Sequence, residues 1–153
     1  LPLREAEPYQ ESQEDLELND SAPDWRGKRI LVVEDNELNM EITCTFLEET
    51  GVSYEKAVNG KMALEMFENS SKGYYDLILM DVQMPNMDGY ETTRLIRART
   101  DNRRLIPIIA MTANAFDEDR KKALDVGMNG HIAKPLDIKG MFATLYDILN
   151  KQD

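Results

Sequence analysis

One cysteine, Cys44, is present in 153 residues, so the chain can close no disulfide within itself and can assemble no cysteine-rich metal cluster. That scarcity suits a reducing compartment. Long apolar runs are missing too. Stretches such as Ile30-Leu31-Val32-Val33 and Leu77-Ile78-Leu79-Met80 are far too short to span a bilayer, and no charged start followed by an apolar stretch marks a signal peptide. This segment is therefore expected to make no membrane contact. Positive charge is also in deficit. With 18 Lys+Arg against 29 Asp+Glu the formal charge is −11, which withholds the general attraction that nucleic-acid phosphates require, so no direct nucleic-acid partner is expected. An initiating methionine is absent as well, and Leu1 in its place predicts a processed or excised piece of something longer.

What is present is enough for one domain. A hydrophobic content of 42% argues against wholesale disorder even though 31% of the residues are charged. The acidity is uneven. Residues 1–26 hold eight acidic residues against Arg4 and Arg26, together with Pro2, Pro8 and Pro23 and no sustained period. They read as an acidic flexible linker or tail with one helical turn near residues 11–18, and Trp25 at its end is placed to pin it to the domain of residues 27–153.

From Lys28 onward, short apolar runs alternate with amphipathic stretches, the pattern of a parallel sheet covered by helices on both faces. Strands are expected at 29–33, 53–57, 77–80, 106–111 and 131–133. Between them Leu38, Ile42 and Phe46 mark one helix, Ala63, Leu64 and Phe67 a second, and Leu95 and Ile96 the buried side of a third over 90–99. A fourth helix spans 116–126 and closes at Gly127, and Met141, Leu145, Ile148 and Leu149 stripe the last. The fold class is α/β, with five βα units. The basic runs Arg94, Arg97, Arg99, Arg103, Arg104 and Arg120, Lys121, Lys122 read as solvated helix faces.

In an open parallel sheet the ligand site lies outside the carboxyl ends of the strands, and four of the five ends here are polar. Glu34 and Asp35 follow the first strand, Asp81 the third, Thr112 the fourth and Lys134 the fifth. Each alone has an ordinary explanation. Asp35 or Asp81 can cap a helix, Thr112 can do the same, and Lys134 can be a surface lysine. Together they make sense as chemistry. Converging carboxylates repel one another unless a cation sits among them, and a hard ion such as Mg²⁺ takes carboxylate oxygens while sharing its shell with phosphate. An ammonium and a hydroxyl can then hold phosphoryl oxygens.

Glu34-Asp35-Asn36, the run Leu79-Met80-Asp81-Val82-Gln83-Met84-Pro85-Asn86-Met87-Asp88-Gly89, Met111-Thr112-Ala113 and Lys134-Pro135 resemble the response-regulator receiver domain of two-component signalling, over about four-fifths of the chain. The resemblance implies a flavodoxin-like sheet of order 2-1-3-4-5. It implies that Asp81 accepts a phosphoryl group from phosphohistidine, with Mg²⁺ as cofactor. Asp35, Asp81 and the Gln83 backbone carbonyl would bind the ion directly, and Glu34 through water. Lys134 would contact a phosphoryl oxygen, Thr112 would swing toward the phosphoryl group as a switch, and the Lys134-Pro135 bond would be cis. Pro85 and Gly89 fit a sharp loop, although both are ordinary turn residues. The implied partners are a histidine kinase domain or a histidine phosphotransfer domain, in the cytoplasm, with the parent kinase membrane-anchored or not. Such a receiver promotes its own phosphorylation and dephosphorylation, so its standing as an enzyme is open.

His131, the only histidine, departs from the family, which commonly has an aromatic switch residue there. It is either a smaller, titratable switch or a strand-edge histidine with no switching role. The acidic leader, Thr112-Ala113-Asn114-Ala115 and Gly127-Met128 resemble the receiver of a hybrid sensor histidine kinase, with a stand-alone regulator as the alternative. A phosphohydrolase with an aspartyl nucleophile is disfavoured because Gln83 stands where its second Asp would be. A phosphate-independent module is disfavoured by the complete Asp81, Thr112 and Lys134 set.

Overall fold

The computed structural model describes residues 22–84, 87–113 and 117–150. The expected helical turn near 11–18, Pro85, Asn114, Ala115 and Phe116 lie outside them. Five strands, β1 (Arg29–Val33), β2 (Ser53–Ala57), β3 (Leu77–Asp81), β4 (Ile108–Thr112) and β5 (Gly130–Ala133), alternate with helices α1 (Glu37–Glu48), α2 (Gly60–Asn69), α3 (Gly89–Arg97), α4 (Asp117–Asp125) and α5 (Ile138–Leu149), with a 3₁₀ turn at Asn102–Leu105. All strand pairs are parallel and the order is β2-β1-β3-β4-β5.

The period of two along β1 divides the core. Leu31 and Val33 join Ile78, Met80, Ile108 and Ala110 beneath Phe67 of α2 and Ile96 of α3. Ile30 and Val32 join Leu77, Leu79, Ile109 and Met111 beneath Leu47 of α1 and Leu145 of α5. Every residue of β3 and β4 is buried, as expected for central strands covered on both faces. β4 starts later than expected because Ile106 N–H closes the 3₁₀ turn on the Arg103 carbonyl and Pro107 has no N–H to give the ladder.

Two helix faces and one basic residue differ from expectation. In α1 the buried side is Met40, Thr43, Cys44 and Leu47, while Leu38 is 63% exposed and Ile42 and Phe46 are half-buried. In α3 Ile96 is buried as expected, but Leu95 is exposed and Thr92 and Thr93 are buried in its place. Arg97, read as a solvated cation, is half-buried and donates to the Gly127 carbonyl at 2.8 Å, the Arg104 carbonyl at 2.5 Å and Asn129 Oδ1 at 2.9 Å. Burial lowers its pKa, yet the carbonyl acceptors suit a cation.

Trp25 is buried to 2% exposure against α5. Its indole N–H donates to Asn150 Oδ1 at 2.8 Å, its backbone N–H to the Thr50 carbonyl at 2.9 Å, and its ring meets Phe142 edge-on. Gly127 closes α4 with φ +99°, a conformation that favours glycine.

Candidate functional site

The carboxylates at the strand ends are not helix caps. Asn36 caps α1, its Oδ1 accepting from Asn39 N–H at 2.8 Å, and Asp88 caps α3, accepting from Glu91 N–H at 2.8 Å. Glu34, Asp35 and Asp81 are thereby free of the commonest structural duty of an acid beside a helix. Glu34 N–H donates to the Ala57 carbonyl at 3.0 Å, which prolongs the β1–β2 pairing by one residue. The Glu34 and Asp81 side chains are buried to 1% exposure each, while Asp35 is exposed.

These three residues can each offer an oxygen such that all three lie within 4.8 Å of one another. Lys134, carried by the end of β5 and a cis Lys134–Pro135 bond, places Nζ 3.1 Å from Glu34 Oε1 and 3.1 Å from Asp81 Oδ1. Asp81 Oδ1 also accepts from Gln83 N–H at 3.0 Å, and Glu34 Oε2 accepts from Asn36 N–H at 3.1 Å. Glu34 Oε1 is different. It is buried and lies near the ammonium, yet no donor points at it with hydrogen-bond geometry. Proximity supplies charge attraction there without satisfying the lone pair.

The electrostatics follow from burial. Desolvation, then the neighbouring Asp81 carboxyl, push Glu34 up to about 7. For Lys134 burial works toward the neutral amine, but Asp81 and Glu34 outweigh it and hold the pKa above its ordinary value. Among the described residues Lys134 thus pairs with two of the three acidic groups. A hard divalent cation fits this donor set, because it would neutralise the surplus and reach the orphaned Glu34 oxygen directly or through water.

Thr112 ends β4 at 5% exposure and lines a cavity of about 420 Å³ with Gln83, Met84, Tyr90, Asp119 and Lys122. Lys122 Nζ lies 4.5 Å from the centre of the Tyr90 ring. Neither Tyr90 nor Lys122 was picked out from the sequence as part of the site, because nothing in the local pattern relates α3 to α4. His131 does not join the acidic group. It is half-buried on β5 and lines a different cleft, with Asp147 and Ile148 of α5.

The sequence model of the response regulator receiver domain matches residues 30–146. The aerobic respiration control sensor protein ArcB of Escherichia coli (strain K12) is 38% identical over 124 residues, which cover 81% of this chain and 15% of that protein. The chain thus spans only a small fraction of such curated relatives, 6% in the case of a hybrid signal transduction histidine kinase of Dictyostelium discoideum. Among solved structures, the receiver domain of a sensor histidine kinase from Pseudomonas aeruginosa PAO1, with magnesium coordinated in its active site cleft, superposes with TM-score 0.72 at 38% identity, covering 80% of this chain and 98% of that one. One chain of the co-crystal structure of the Saccharomyces cerevisiae histidine phosphotransfer protein Ypd1 and the receiver domain of its downstream response regulator Ssk1 matches with TM-score 0.73 at 28% identity, covering 86% of this chain and 92% of that one. No helix among the described residues is long and apolar enough to cross a membrane.

Proposed function

The chain belongs to the response regulator receiver domain family, and on that premise we propose that it is a phosphorylation switch in which Asp81 accepts a phosphoryl group from phosphohistidine with Mg²⁺ as cofactor. The convergence of Glu34, Asp35, Asp81 and Lys134 at one end of the sheet carries this reading. Asp35, Asp81 and the Gln83 carbonyl would hold the ion, with Glu34 reaching it through water. Bound magnesium supplies positive charge for the phosphoryl oxygens.

The protein's own groups do the rest. Gln83 N–H and Lys134 both hold Asp81 Oδ1, so the other carboxylate oxygen is the attacking atom. A bond forms from that oxygen to phosphorus, the bond from phosphorus to the imidazole nitrogen breaks, and the electron pair leaves with the imidazole. Lys134 then transfers its attraction to a phosphoryl oxygen, and the Thr112 hydroxyl donates to another. Thr112 is the switch residue, with His131 as a second switch position on β5.

The donor is a histidine kinase domain or a histidine phosphotransfer domain. Leu38 and Met62, in the first turns of α1 and α2, and Val58, just after β2, are exposed at the carboxyl edge of the sheet and offer such a domain an apolar rim. The sensor-kinase relatives support placing the chain in the cytoplasm as the receiver of a hybrid histidine kinase, where residues 1–26 are the acidic linker and 27–153 the receiver. Incubation with Mg²⁺ and a small acyl phosphate should add one phosphoryl group to the wild-type chain and none to Asp81→Asn. Absence of labelling, or labelling that survives the substitution, would sink the assignment.

A further inference from the structure

We infer that Gly89 is a positioning residue for Asp81: it is glycine so that the first turn of α3 can rest directly on the backbone of the phosphoacceptor. This rests on the reading of Asp81 given above. Gly89 lies outside the left-handed region, so backbone conformation does not explain it. Space does. A Cβ at this position would stand far inside van der Waals contact with the Asp81 carbonyl oxygen, and 2.9 Å from both Val82 Cα and Met80 Cγ. Met80 could turn aside, but the other two atoms are backbone, so a side chain here must move the Asp81–Val82 peptide or the helix.

The helix has little room to retreat. A Cβ on Gly60, at the start of α2, would stand 2.6 Å from the Met87 carbonyl oxygen and closer still to Thr92 Oγ1. The segment from Met87 to Thr92 is therefore gripped from two sides, by α2 and by the end of β3. Thr92 and Thr93 are buried and donate their hydroxyls back to the Asp88 and Gly89 carbonyls, which ties the same turn to itself. At the far end Arg97 fastens α3 to the Gly127 and Arg104 carbonyls. The strain of an added methyl is thus directed into the Asp81–Val82 peptide, which leads to the Gln83 N–H that holds Asp81 Oδ1. Close-packed interiors transmit such displacements without absorbing them.

The test compares Gly89→Ala with Leu145→Ala, a core truncation on the opposite face of the sheet that lowers stability without touching this peptide. Gly89→Ala should speed hydrogen exchange of the Gln83 amide in metal-free protein. It should also weaken Mg²⁺ binding and slow phosphorylation by a small acyl phosphate by about tenfold to a hundredfold, the range expected for a sub-ångström to 1 Å misplacement. Leu145→Ala should leave all three near wild type. Equal behaviour of the two variants would overturn the inference. If Gly89→Ala does not fold, the wild-type chain decides: the Gly89 and Tyr90 amide resonances should follow a Mg²⁺ titration while those of Leu145 stay fixed, and unmoved Gly89 and Tyr90 would overturn it. A wild-type chain that binds Mg²⁺ but accepts no phosphoryl group would defeat the phosphoacceptor reading and leave the exchange and metal arms to judge Gly89.

Discussion

The two edges of the one sheet treat polar groups in opposite ways. At the amino edge the polar groups that flank the core have directed partners. Asp76 Oδ2 accepts from Arg29 N–H at 2.8 Å, Asn129 Oδ1 accepts from Ile108 N–H at 2.9 Å and from Arg97, and the Trp25 indole reaches Asn150. At the carboxyl edge Glu34 keeps an unsatisfied oxygen at 1% exposure, beside a second buried acid and one ammonium. Satisfied buried groups hold a fold together, and unsatisfied ones weaken it while holding a place for a ligand. The difference teaches where this protein keeps its stability and where it gives some up.

Substitutions at the two edges should therefore act with opposite character. Trp25→Ala empties a large buried site at the amino edge and should cost about 3–5 kcal/mol of unfolding free energy, read by chemical denaturation, while Mg²⁺ affinity stays unchanged. A matching loss of Mg²⁺ affinity would break the separation of the edges.

Glu34→Gln should do the reverse. It removes a buried acid that its surroundings resist ionising, so the metal-free variant should be more stable than wild type at pH 8 and should bind Mg²⁺ more weakly. The pH dependence follows from the same shift. Glu34 is raised to about 7 in the fold from 4.5, so the folded chain holds a proton that the unfolded chain releases. Its favourable contribution is full below about 4.5 and is lost as pH rises through about 7, by on the order of 1–3 kcal/mol. Metal-free denaturation midpoints measured from pH 4.5 to 8 should show this fall in wild type and not in Glu34→Gln, and saturating Mg²⁺ should oppose it.

The smallest effect is expected at Leu38→Ala. At 63% exposure Leu38 contributes little to the core, so stability should change by less than about 0.5 kcal/mol. A loss of 2 kcal/mol in the same denaturation assay would mean that the exposed rim of the carboxyl edge is part of the core.

The site was more legible in the sequence than the helix faces. Strand ends are marked by where an apolar run stops, so the places of Glu34, Asp35, Asp81, Thr112 and Lys134 could be read from the runs before them. α1 offers two apolar stripes at helical spacing, Leu38, Ile42, Phe46 and Met40, Cys44, Leu47, and periodicity cannot choose between them. Gly89 was legible only as a turn residue, because the atoms that exclude a side chain there belong to another element. Trp25 stood out as a lone aromatic at the end of a polar leader, but its partner Asn150 lies 125 residues away.

The sequence by itself determined the alternation of strands and helices and the presence of acids, hydroxyl and ammonium at successive strand ends. These are local properties, set by side-chain period and by the backbone groups a residue can reach within one turn. Only the tertiary structure decided which stripe of α1 turned inward, that Arg97 would spend its donors on carbonyls, that His131 would face α5 and not the acidic group, and that α3 would sit on the backbone of Asp81. Each of those depends on the distance between segments far apart in the chain, and that distance exists only once the sheet has assembled and its two faces have been filled.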